Sequence, residues 1–152
     1  MNKAPALRQG VGRAAMRWAM AAAYLAAGVL HLRTPAPFLA IVPDWVPFPQ
    51  YTVAFTGVCE IFGAVGLVTT RFRWWAGVML AVYAVCVFPA NIKHAVDGIA
   101  IGGSRLGWGY HGPRLLLQPV LVWWALFCAN VVDWPMRSAK TRPLAAEESR
   151  RP

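Results

Sequence analysis

The sequence predicts an all-α integral membrane protein, a four-helix bundle with both termini on the cytoplasmic side (N-in/C-in). Three observations carry this. The 152-residue chain is 58% hydrophobic and 14% charged, whereas a soluble domain of this size carries about a quarter of its residues charged. Its apolar residues fall into four runs, each near the roughly 20 residues that cross a bilayer core as helix. Of the 15 Lys and Arg, all but Arg33, Lys93, Arg105 and Arg114 fall on one side when the first run starts inside. That asymmetry sets the orientation.

The first run, about 14–32, follows a basic tail over residues 1–13 that holds Lys3, Arg8 and Arg13. A signal peptide begins similarly, but its apolar core is shorter and no further spans follow it. An uncleaved helix is expected. The loop from Arg33 to Gln50 carries Pro35, Pro37, Pro43, Pro47 and Pro49 among aromatic and aliphatic residues. Proline fixes φ and biases its predecessor away from helix, so this is a stiff apolar segment lying against the outer membrane surface.

The second run, about 51–70, is joined by a short inner turn with Arg71 and Arg73 to the third, about 74–92. The next loop, from Lys93 to Arg114, is glycine-rich and reads as turns. The fourth run, about 115–132, completes a membrane domain over 14–132. Residues 133–152 form a basic, polar tail expected to be disordered. The assigned location is the bacterial cytoplasmic (inner) membrane, crossed several times.

The net charge of +9 sits in the tails and short loops. It follows from topology and suits an anionic leaflet, so no nucleic-acid role is read from it. Cys59, Cys86 and Cys128 are odd in number, widely spaced and inside apolar runs. They indicate neither a disulfide framework nor zinc. Most of the 8 Trp lie near predicted interfaces, where aromatic belts account for them. Trp123 and Trp124 are deeper and read as packing or lipid-facing residues.

Ionisable residues inside a span are costly and face the bundle interior or a cavity. Glu60 is the main case, on the order of 13 Å below the outer end of the second helix at about 1.5 Å per residue. Gly57, Gly63 and Ala64 share its face and let another helix approach. His31 ends the first helix. Asn91 and His94, three apart, share a face of the third, and Arg114 and Gln118 open the fourth. All six fall in the outer half of one bundle. Pro89 and Pro119 each remove a backbone hydrogen bond, so both helices are expected to bend there. Glu60 can pair with Arg114 or a histidine. No spacing supports a metal site.

These residues resemble those of the DoxX-like membrane proteins. The family pattern G-x-x-H-F-x-x-P-x-x-F-x-x-I-x-P is met by Gly28, His31, Pro35, Phe38, Ile41 and Pro43, with Leu32 where Phe is usual. Its S-G-x-x-E-I-x-G-x-x-G-L segment is met by Gly57, Glu60, Ile61, Gly63, Gly66 and Leu67, with Thr56 in place of Ser. Phe88–Ala95 is similar to its F-P-A-N-I segment, and Arg114 and Gln118 to its R-x-x-x-Q start of the fourth helix. The resemblance runs from about residue 24 to 132 and implies a four-helix membrane bundle. For some relatives it implies quinone-linked oxidation.

Three functions are compatible with the sequence. In the first, a quinone- or redox-linked membrane subunit, Glu60 and His31 are catalytic groups that handle protons. Asn91, His94, Arg114 and Gln118 bind a polar head group. No flavin, haem or thiol redox motif is present, so electrons would come through a redox partner protein or a diffusible quinone. The second is a non-catalytic membrane partner or assembly protein, in which the polar cluster is packing glue. The third is a small proton-coupled transporter, which four helices without inverted repeats would build only as a homo-oligomer.

Overall fold

The computed structural model describes residues 4–100 and 103–134 of the chain. Among these residues it is all-helical: α1 (Ala4–Arg33), α2 (Ala36–Leu39), α3 (Pro49–Val68), α4 (Arg73–Cys86), α5 (Phe88–Val96) and α6 (Trp108–Cys128). Three stretches are long and apolar enough to cross a membrane: Gly10–Arg33, Pro49–Val68 and Arg73–Val96. Large apolar side chains, among them Phe62, Val65, Trp75, Val85 and Leu116, stand on the outside of the bundle. Lipid tails, unlike water, leave such a surface without cost.

The helix ends differ from the apolar runs in ways that have physical causes. α1 begins at Ala4, not at residue 14, because a helix needs backbone hydrogen bonds rather than apolar side chains to continue. The segment read as a basic tail is therefore largely helix. α6 begins at Trp108, directly after Gly107 in extended conformation. The Trp108–Arg114 segment, read as glycine turns, is its first two turns. Val87 separates α4 from α5, and Pro89 lies in the first turn of α5, so the bend expected there is a break. Pro119 stays inside a continuous α6. The tail from residue 135 onward lies outside the described residues.

α1 packs along α3, α4 along α3 and α6, and α5 against α6 and α4. Small residues set these distances. A Cβ on Gly28 would lie 2.6 Å from the Gly57 carbonyl oxygen, and one on Gly57 would lie 2.8 Å from His31 Cβ. One half of the bundle is tightly packed: Met20, Ala21, Ala64, Leu67, Ala76, Leu80, Ala125, Cys128 and Ala129 form a single core there. This is the terminal half, since it lies beside residues 10–17 and 128–133.

The terminal half is closed by a cap. Asn130 adopts left-handed backbone (φ 63). Its N–H donates to the Phe127 carbonyl, and that of Val131 to the Leu126 carbonyl. This is the Schellman pattern that satisfies the last carbonyls of a helix. α1 then grips the cap. Arg13 Nη1 donates to Asn130 Oδ1 at 2.7 Å and pairs with Asp133 Oδ1 at 3.1 Å, and Arg17 Nε donates to the Cys128 carbonyl at 2.9 Å. Arg17→Ala strands that carbonyl and is expected to lower stability by about 1–2 kcal/mol, read as thermal unfolding of the detergent-solubilised chain. An unchanged unfolding midpoint would count against this role of the cap.

Candidate functional site

The opposite, loop half is built differently. There α5 leans on α6, while α1 and α3 stay paired with each other, and the space between the two pairs is a cavity of about 1120 Å³. Its walls are mainly apolar, from Ala23, Ala27, Val53, Phe55, Met79, Val82 and Leu121. The segment after α2 lies over it, contributing Ile41, Val42, Pro43, Trp45 and Val46. Lys93 Nζ, 3.2 Å from Asp44 and 3.1 Å from Asp97, ties this cover to α5.

The first polar station stands on α1, α3 and α4. The Gly28–Gly57 crossing brings His31 against Glu60, which is 4% exposed. Tyr83 donates its hydroxyl to Glu60 Oε1 at 2.8 Å. His31 Nδ1 is 2.9 Å from the Ala27 carbonyl oxygen and 3.0 Å from Glu60 Oε2. A single N–H cannot point well at both. It donates to the carbonyl, and Oε2 stays buried without a well-directed hydrogen bond. Phe38 stacks on the imidazole, with ring centroids 3.7 Å apart, and fixes its orientation.

The second group stands on α5 and α6. Asn91 Nδ2 donates to Gln118 Oε1 at 3.1 Å, and Gln118 Nε2 donates to the Ala84 carbonyl beside the α4–α5 break. These amides serve each other and a carbonyl at the break. Arg114 Nη1 donates to His94 Nδ1 at 2.9 Å. A guanidinium is donor only, so His94 is neutral with its proton on Nε2.

His31 and Glu60 therefore line one side of the cavity and Asn91, Arg114 and Gln118 the other, with His94 behind Arg114. Of the two pairings open to Glu60, the histidine is the one found; Arg114 pairs with His94 instead. Trp123 and Trp124 lie away from the cavity. Trp123 Nε1 donates to the Trp134 carbonyl and Trp124 Nε1 to that of Met16. Cys86 is exposed and Cys59 half-buried, and only Cys128 is buried. Among the described residues no group of three or more His, Cys, Asp or Glu could hold a metal ion.

Residues 20–129 match the family model described as a domain of unknown function (DUF8561). The chain belongs to the DUF8561 family. No curated protein and no solved structure matches it. Every residue lining the cavity lies inside the DUF8561 region, whereas Arg13, Arg17, Asn130 and Asp133 of the terminal cap lie outside it.

Within the DUF8561 domain, sequence reasoning missed Tyr83, Tyr24 and His111. A tyrosine in an apolar run reads as a packing residue, yet a buried hydroxyl needs a partner, and that requirement was the available signal. Tyr83 finds Glu60, and Tyr24 packs edge-on to Tyr83 with ring centroids 6.1 Å apart. His111 lies in the glycine-rich stretch that predicts a loop, ahead of the expected start of the fourth span at about 115, whereas α6 starts at Trp108.

Proposed function

We propose that this protein is a four-helix, N-in/C-in subunit of the bacterial inner membrane, similar to the DoxX-like proteins, that binds a quinone-type head group in the loop-half cavity. α6 is 21 residues long, enough to cross as the fourth span despite Arg114 and Gln118. The single observation that carries the ligand reading is Glu60: a buried carboxylate whose Oε2 has no well-directed partner and which borders a large apolar cavity. Apolar pockets with a few convergent polar groups are where small lipophilic ligands bind, and buried polar groups without a partner call for one.

A quinone, when bound, supplies a carrier of two electrons and two protons. The residues present fit such a group. Glu60 and His31 hold or release a proton at Oε2 and the imidazole, with Tyr83 fixing the second carboxylate oxygen. The apolar walls and the cover segment surround the head group with a low-dielectric lining. Electrons come through a partner protein.

The test is native mass spectrometry of the full chain after gentle extraction, with titration of a short-chain quinone. Quinone should co-purify, and Glu60→Gln should lose it while unfolding at a similar temperature. A clean preparation that neither carries nor takes up quinone would sink the proposal. A second reading, a non-catalytic assembly partner, draws on the Asn91–Gln118–Ala84 lock, whose amides are already spent on packing. There Glu60→Gln lowers stability and leaves ligand content unchanged.

A further inference from the structure

A cluster separate from Glu60 stands where α5 meets the start of α6. His94 and His111 are 1% and 2% exposed. Their rings lie 4.6 Å apart and edge-on, and both rings also pack against Tyr110. Among the described residues both nitrogens of His111 are buried with no hydrogen-bond partner, and His94 Nε2, near the Ile99 backbone, makes no well-directed hydrogen bond. Arg114 uses Nη1 on His94 and lies near the Tyr110 ring, 5.9 Å from its centroid. No carboxylate lies within ion-pair distance of Arg114 among the described residues.

Unpaired buried imidazole nitrogens are rare and call for a missing partner. A metal ion is a poor one here. Arg114 already occupies the Nδ1 lone pair of His94, and its fixed positive charge opposes a cation beside it. Water alone would satisfy the imidazoles but would leave the guanidinium without a counter-charge. His111 also sits in the first turn of α6, where the helix dipole favours negative charge. A group that accepts hydrogen bonds and carries negative charge meets all of these requirements together.

We infer that Arg114, His94 and His111 form an oxyanion site at the loop end of the bundle, taking a phosphate group. Arg114 supplies the counter-charge and guanidinium N–H donors, His94 its Nε2–H, and His111 one ring N–H. The phosphate comes either from a lipid head group at that level of the bilayer or from solution. This site is independent of quinone binding at Glu60.

The chain contains 3 histidines, so ¹⁵N spectra of the histidine-labelled full chain in a maltoside detergent resolve each imidazole. Inorganic phosphate is titrated against chloride at equal ionic strength, and phosphatidylglycerol is added to the micelles in a parallel series. The His94 and His111 resonances should move with at least one probe while that of His31 stays. Movement with inorganic phosphate identifies a site open to solution, and movement with phosphatidylglycerol alone identifies a lipid site. Arg114→Gln should weaken the response about tenfold or more, the loss of a charged hydrogen bond. His111→Gln, which keeps the guanidinium, should weaken the His94 response less. No movement with either probe, or equal movement of all three imidazoles, overturns the inference. A short-chain quinone should move His31 alone, so failure there would bear on the quinone proposal and leave this one standing.

Discussion

Gly28→Val is expected to cost about 3 kcal/mol or more, at the upper end of what overpacking does to a closely packed interior. The Gly28 Cα faces the backbone of α3. A Cβ there would meet the Gly57 carbonyl oxygen at 2.6 Å, Ile61 Cγ1 at 2.8 Å and Glu60 Cβ at 3.1 Å. The first of these is backbone and cannot rotate away, so α1 and α3 must separate. Because this crossing also holds His31 against Glu60, the substitution should remove ligand binding along with stability. Gly12→Ala is the control: nothing lies within 4 Å of its Cβ, and a helix-interior Gly→Ala change gains about 0.5–1 kcal/mol. Equal unfolding midpoints for Gly28→Val and wild type would refute the close crossing.

The second large effect is expected at His31. His31→Phe keeps a ring stacked on Phe38 but takes the imidazole from Glu60 Oε2, 3.0 Å away. Losing the one ring N–H near Oε2 leaves an already poorly served buried carboxylate without any nearby donor there, at about 1–3 kcal/mol. Glu60→Gln in the same background relieves the stranded carboxylate and should recover a large part of the loss. The measurement is a double-mutant cycle on unfolding in detergent. Strictly additive costs would mean that the two residues do not act as a unit.

The parts of this molecule that were legible in its sequence are those a bilayer enforces one residue at a time. Apolar runs marked the bodies of α1, α3 and α4–α5, and Pro89 marked the break at Val87. Glu60 and His31 stood out because ionisable groups at that depth have few acceptable surroundings. What could not be read depends on which helix meets which. Gln118, reaching across from α6, takes the Ala84 carbonyl and Asn91 bonds to Gln118, a pairing that no spacing along the chain announces. Arg114 stood at the same level as Glu60 along the chain, yet the cavity lies between them and His94 is the nearer partner. The helix ends were misplaced where helix continues without apolar side chains, as at Ala4 and Trp108.

The grip of α1 on the end of α6 has a consequence for how the chain is made. Arg17 bonds to the carbonyl of Cys128, and Arg13 to Asn130 and Asp133, so partners more than a hundred positions apart complete one cap. A ribosome delivers the arginines early and their acceptors late. Through most of synthesis α1 must hold two guanidiniums with only water and lipid phosphate to solvate them. Chains that stop short of residue 128 leave α1 in that provisional state, open to quality-control proteases. The last turn of α6 is what releases α1 from it.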